Sequence, residues 1–113
     1  MLAGRRTLSG ESSPTRLWVK THYSRTGEVV VAVCDEKLVG TRLRLSSQVS
    51  VEVAESFYKG VLVFEEEVAN YIKLGTIINL LGEKAVATAL RNGYAKKESV
   101  VYVDNVPHLQ LFL

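Results

Sequence analysis

The stretch LWVKTHY-SRTG-EVVVAVC, from Leu17 to Cys34, decides the fold. Its first seven residues are rich in β-branched and aromatic side chains, which suit a pleated, half-buried strand. Ser24-Arg25-Thr26-Gly27 is turn chemistry. Glu28 to Cys34 is then an almost unbroken apolar run of strand length. Two such runs joined by a short loop containing glycine predict a β-hairpin. The second run does not alternate, so both of its faces are expected to be covered.

Downstream of this hairpin, Asp35-Glu36-Lys37-Leu38-Val39-Gly40 reads as a tight turn or one helical turn closed by Gly40. Thr41 to Leu45 alternates strictly, with Arg42 and Arg44 on the outward face. Ser46-Ser47-Gln48 turns the chain, and Val49 to Val53 alternates again with its valines expected inward. Phe57-Tyr58-Lys59-Gly60 reads as an extended segment ended by its glycine. From Val63 the period becomes helical. Glu65-Glu66-Glu67 would fill a first turn, where negative charge suits the helix dipole, and Val68, Tyr71 and Ile72 would share a face. Thr76 is expected to cap a second short helix carrying Ile77, Ile78, Leu80 and Leu81. Gly75 and Gly82 would then be tight helix-to-helix connections. Glu83 to Arg91 predicts a third helix, stopped by Asn92-Gly93, with Ala85 and Ala89 small enough to approach a sheet closely. Ser99 to Val103 reads as a strand, Asp104 to Pro107 as a turn, and His108 to Phe112 as the return, with Leu109, Leu111 and Leu113 on one face. The expected fold class is α+β: a mostly antiparallel sheet, a central block of two to three short helices and a C-terminal β-hairpin.

Upstream, residues 1–15 (MLAGRRTLSGESSPT) have no periodicity and predict a flexible basic tail ahead of a single domain at 16–113. A chain of 113 residues fits one domain. The hydrophobic share of 47% argues against disorder for most of it. Cys34 is the single cysteine, so no internal disulfide can form, which argues against a secreted, cross-linked scaffold. A membrane helix needs about 20 apolar residues in a row, and no such run is present. No apolar segment follows Arg5 and Arg6, so the N-terminus does not read as a signal peptide and a cytoplasmic location is expected. The formal charge is only +2, yet residues 1–25 hold Arg5, Arg6, Arg16, Lys20 and Arg25 against Glu11 alone. A basic end on a near-neutral body attracts polyanions such as RNA.

Candidate chemistry is sparse. Cys34 could act as a nucleophile with His22 or His108 as its base, but a thiol ending an apolar strand reads as a buried, inert side chain. Metal ligation needs several Cys or His at ligand spacing, and the chain has three, far apart. Asp35-Glu36 and Glu65-Glu66-Glu67 read as a solvated turn and a helix start rather than as oxygen ligands. Tyr58 and Lys59 are adjacent and would point apart on an extended segment. Lys59, beside Gly60, suits a phosphate contact. Gly82-Glu83-Lys84-Ala85 faintly resembles the phosphate-holding turn of helix–hairpin–helix modules, although Glu83 is unwelcome there. His108, opening a strand after a constrained turn, could carry a proton or bond RNA. No Walker loop, dinucleotide fingerprint, nucleophile elbow or paired-carboxylate signature is present, so no catalytic residue, metal or cofactor is assigned.

Four blocks together resemble a small conserved archaeal family of unknown function: VAVCDEKLVG at 31–40, ESFYKG at 55–60, NLLGEKAV at 79–86 and VPHLQ at 106–110. The resemblance runs from about Leu17 to the C-terminus. It departs at Phe64, where an acidic cap is expected, which leaves the start of the first helix open. It implies an archaeal, cytoplasmic protein and carries no activity or catalytic residue. Its loose association with translation implies an RNA or ribosome partner. The first expectation is therefore a non-enzymatic protein that binds rRNA or the small ribosomal subunit. Its contacts would come from Arg5, Arg6, Arg16, Lys20, Arg42, Arg44, Lys59, Lys84 and His108. The alternatives are a small enzyme or ligand-binding domain with a pocket near Cys34, Tyr58 and His108, and a protein–protein adaptor or homodimer pairing through a sheet edge.

Overall fold

In the computed structural model, which describes residues 14–113, strands β1 (Arg16–Tyr23) and β2 (Val29–Asp35) form the expected antiparallel hairpin. Trp18 lies opposite Cys34 and Tyr23 opposite Val29. Ser24 organises the turn: its hydroxyl oxygen accepts the Glu28 N–H at 2.9 Å. β2 is covered on both faces as anticipated, and Val31, Ala32, Val33 and Cys34 are all fully buried.

Two further strands pair with this hairpin, one on each side. β3 (Arg42–Arg44) and β4 (Ser50–Glu52) make a separate two-stranded arm, and α1 (Glu55–Tyr58) is one helical turn. β5 (Val61–Phe64) then pairs antiparallel with β1. A 3-10 turn at Glu65–Glu67 leads into α2 (Val68–Ile72). β6 (Ile77–Leu81) runs parallel to β2, α3 (Glu83–Arg91) follows it, and β7 (Val101–Val103) and β8 (Val106–Phe112) close the sheet. The six-stranded order is β5-β1-β2-β6-β8-β7, and β2–β6 is its one parallel pair. The fold is α+β, with a mostly antiparallel sheet, short helices and a C-terminal hairpin.

Several local expectations are corrected. Ile77–Leu81 is an inner strand, not a second helix. A short apolar run has no period that separates a buried strand from a buried helix, and backbone bonding to both neighbours decides it. Thr76 caps no helix; its backbone N–H donates to Val29 at 2.8 Å, and its hydroxyl accepts the Val29 N–H at 2.9 Å. Gly82 consequently joins a strand to a helix. Residues 57–60 are not extended: Phe57 and Tyr58 donate to the Ala54 carbonyl and close α1. The helical period does not start at Val63, which lies inside β5.

One face of the sheet packs Leu17, Val19, Val31, Val33, Ile78, Leu80 and Leu109 against Val68 and Ile72 of α2 and Ala85, Val86 and Ala89 of α3. The two alanines are fully buried, which is how α3 sits close to the strands. The other face packs Ala32, Cys34 and Leu81 against Leu43, Val53 and Tyr58. Each fully buried aliphatic side chain contributes about 1.5–3 kcal/mol. Only the root of the β3–β4 arm reaches this second core. Val53 and Leu43 are buried, whereas Val49 and Val51 are exposed, contrary to the inward placement expected from alternation. Leu113 is likewise exposed, although Leu109 and Leu111 are buried. The β7–β8 turn is the two residues Asp104 and Asn105, both at positive φ (52° and 64°), the geometry that matches strand twist.

Candidate functional site

Cys34, Tyr58 and His108 do not converge. The cross-strand register sets Trp18, Cys34, Leu81, His108 and Val101 in one row on the second face. Leu81 therefore stands between the thiol and the imidazole, two strand spacings or roughly 10 Å apart. Tyr58 packs in the same cluster as Cys34, and its hydroxyl donates to Asn79 Oδ1 at 2.6 Å. Burial pushes the Cys34 thiol up to about 12, with the Asp35 carboxylate adding to the rise. Burial likewise raises the Tyr58 phenol. Burial lowers His108, so the ring is held neutral. This is a packed interior with a satisfied phenol, not an arrangement that activates a nucleophile.

The cations expected to meet RNA fall into two groups. Lys20 and Lys59 work locally. The Lys20 ammonium donates to the Ser56 carbonyl at 2.8 Å, and His22 Nε2 pairs with the Phe57 carbonyl at 2.8 Å with its ring stacked on Phe57. Together they bind the end of α1 to β1. Lys59 lies 5.5 Å from the Trp18 ring centroid and 3.8 Å from Glu55.

Arg16 and Lys84 line one cleft at the end of the sheet where β2 and β6 finish. It encloses about 740 Å3 and is lined by Pro14, Arg16, Asp35, Glu36, Lys37 and Lys84. A smaller hollow of about 220 Å3 continues past Lys37 and Lys84 to Leu38, Val106 and Pro107. Arg16 is 3.4 Å from Glu36. Lys37 and Lys84 are exposed and have no ion-pair partner among the described residues. Arg42 and Arg44 are exposed on the nearby arm, and the Arg44 backbone N–H donates to the Asp104 carboxylate at 2.9 Å. Arg5 and Arg6 lie outside the described residues. His108 pairs with Leu81 at this same end of the sheet.

Asp35 is the residue whose role the sequence concealed. It looked like part of a solvated turn. Its carboxylate instead accepts the N–H groups of Ala85 (2.8 Å) and Lys84 (3.1 Å), capping α3 from another strand. Burial raises its carboxyl above the ordinary value, opposed by those two N–H groups. Gly82 sits at φ +110°, and a Cβ there would collide with the Asp35 carboxylate. The α3 N-terminus is thus already occupied by a side chain, which removes the phosphate-holding turn suggested by Gly82-Glu83-Lys84-Ala85. Lys37 carried no signal in the sequence; only the turn geometry brings it beside Lys84.

Among the described residues no helix is long and apolar enough to cross a membrane, and no group of three His, Cys, Asp or Glu could hold a metal ion. No curated protein matches the chain. A crystal structure of an uncharacterized conserved protein from Methanopyrus kandleri is similar, with a TM-score of 0.75 and 28% identity over 86% of this chain and 90% of that one. Residues 23–113 match the description of a protein family of unknown function, DUF424. With that match over most of its length, and with the archaeal neighbour sharing its fold, the chain belongs to the DUF424 family.

Proposed function

We propose that the protein is a non-enzymatic, cytoplasmic, translation-associated factor that binds RNA, with the rRNA of the small ribosomal subunit as its target. One observation carries this reading. The fold gathers Lys37, Lys84 and Arg16 around a cleft whose wall includes Pro14, the residue through which the segment bearing Arg5 and Arg6 joins the domain. Arg42 and Arg44 extend the same end of the molecule. Phosphate contacts of this kind give affinity without a preformed pocket and are strongly salt-dependent.

The test is co-sedimentation of the full chain with small ribosomal subunits from the source cells at rising KCl. If roughly three phosphates are neutralised, affinity should drop roughly 20- to 40-fold between 50 and 200 mM salt. The double change Lys37→Glu and Lys84→Glu should remove most of that dependence. Failure to co-sediment, or binding indifferent to salt, ends the reading.

A further inference from the structure

Asn92-Gly93 closes α3 with a full set of bonds. Gly93, at φ +76°, donates its N–H to Leu90 at 3.1 Å, and the Tyr94 N–H donates to Ala89 at 3.0 Å. This is the glycine-closed helix end that satisfies two of the last carbonyls. The Thr88 carbonyl accepts both the Asn92 backbone N–H at 3.2 Å and the Asn92 Nδ2 at 2.7 Å. Tyr94 is half-buried and packs on the first core together with Leu90, Ala95 and Val100.

The same dipeptide is chemically reactive. Glycine has no Cβ to shield its backbone nitrogen, so that nitrogen can attack the side-chain carbonyl carbon of a preceding asparagine. Asn92 and Gly93 are both exposed, and open space lies where a Gly93 Cβ would stand. The other three asparagines, Asn70, Asn79 and Asn105, precede the bulky Tyr71, Leu80 and Val106. In the closed helix end the two reacting groups are held apart. The Gly93 N–H is tied to Leu90 and the Asn92 amide to Thr88. At ψ 6° the Gly93 nitrogen eclipses the Asn92 backbone nitrogen and not its Cβ. Ring closure needs that nitrogen swung round to Cβ, a rotation that takes Gly93 and Tyr94 off their acceptors.

We propose that Asn92 is a site of spontaneous covalent modification, gated by local opening of the C-terminal end of α3. Once the end opens, the Gly93 amide gives its proton to solvent base and its nitrogen attacks Asn92 Cγ. The N–Cγ bond forms, the Cγ–Nδ2 bond breaks, and Nδ2 takes up a proton and leaves as ammonia. Water then adds to one of the two carbonyls of the succinimide ring and opens it to aspartate or isoaspartate. The change runs one way. The new carboxylate has no proton to donate to Thr88 and lies at the negative end of the α3 dipole. Isoaspartate also lengthens the backbone by a methylene. A molecule that has opened and reacted therefore keeps a loosened helix end. None of these residues lines the cationic cleft, so the site is independent of the RNA reading.

The test follows the full chain at mildly alkaline pH, native and in urea. Peptide mapping locates the mass gain of about 1 Da and the isoaspartate, and hydrogen exchange of the Tyr94 amide reads the opening. In urea, Asn92 should be modified ahead of Asn70, Asn79 and Asn105. In the native chain its modification should be at least about tenfold slower, matching the slowing of Tyr94 exchange to within about threefold. Tyr94→Ala strips the side chain that holds the helix end on the core and leaves Asn92-Gly93 intact. It should speed native modification at least about threefold, as local opening becomes easier, with no change of rate in urea. Native modification as fast as in urea overturns the proposal. So does a Tyr94→Ala chain whose helix end exchanges faster yet is modified no faster. If that variant does not fold, the wild-type comparison decides alone.

Discussion

Replacing Gly82 with alanine tests the link between the end of β6, the Asp35 carboxylate and α3. The residue sits at φ +110°, a conformation that costs an L-residue about 1–3 kcal/mol. The added methyl also meets the Asp35 carboxylate, which must move and give up its bonds to the Ala85 and Lys84 N–H groups. Loss of such a cap costs about 0.5–2 kcal/mol. The total is about 1.5–5 kcal/mol, a large part of a typical domain stability of about 5–15 kcal/mol. At roughly 5 °C per kcal/mol, the Tm should fall by about 8–25 °C in a circular-dichroism melt. The double-mutant cycle with Asp35→Ala separates the two terms. With the carboxylate gone, Gly82→Ala should cost only the backbone strain, leaving a coupling of about 0.5–2 kcal/mol between the sites. If Gly82→Ala costs the same in both backgrounds, the carboxylate is not what excludes a side chain there. If it costs nothing in either, the account of this junction is wrong.

Three further outcomes are expected. Cys34, with its thiol pushed up to about 12 by burial, should stay unmodified by iodoacetamide at about pH 8 in the native protein and react once urea unfolds it; fast native labelling would contradict the packing. Tyr58→Phe should cost roughly 1–2 kcal/mol in urea unfolding by orphaning Asn79, and a cost near zero would show that this bond is not formed in solution. His108 is lowered from 6.5, so the unfolded chain takes up its proton first. Its contribution is complete above pH 6.5 and shrinks as pH falls toward the folded value. His108→Gln should flatten that arm of the stability profile, and an unchanged slope would assign it to another group.

The elements legible in the sequence were those with long or punctuated patterns. Leu17 to Cys34 announced its hairpin through an unbroken apolar strand and a serine–glycine turn. Glu83 to Arg91 announced its helix through Ala85, Val86, Ala89 and a closing Asn92-Gly93. Ile77 to Leu81 misled because it is buried on both sides, with Ile78 and Leu80 under the helices and Leu81 in the second core. Val51 misled for a different reason: alternation reports which residues share a face, not whether anything covers that face. The site was less legible than the fold. Arg16 and Lys84 were singled out for charge alone and do meet at one cleft. Lys20 and Lys59 were singled out on the same ground and prove to hold α1 and Trp18. Asp35 was passed over because its partners are backbone amides some fifty residues along the chain.

The order β5-β1-β2-β6 places the first hairpin between two strands that come later in the chain. Both flanking seams, Leu17 beside Val63 and Val31 beside Ile78, cross the loop at Ser46-Ser47-Gln48. A protease nick at that exposed tip would leave two pieces that interlock like the halves of a split reporter. Neither could depart without unzipping both sides of the hairpin, so the nicked molecule would run as one species until denatured.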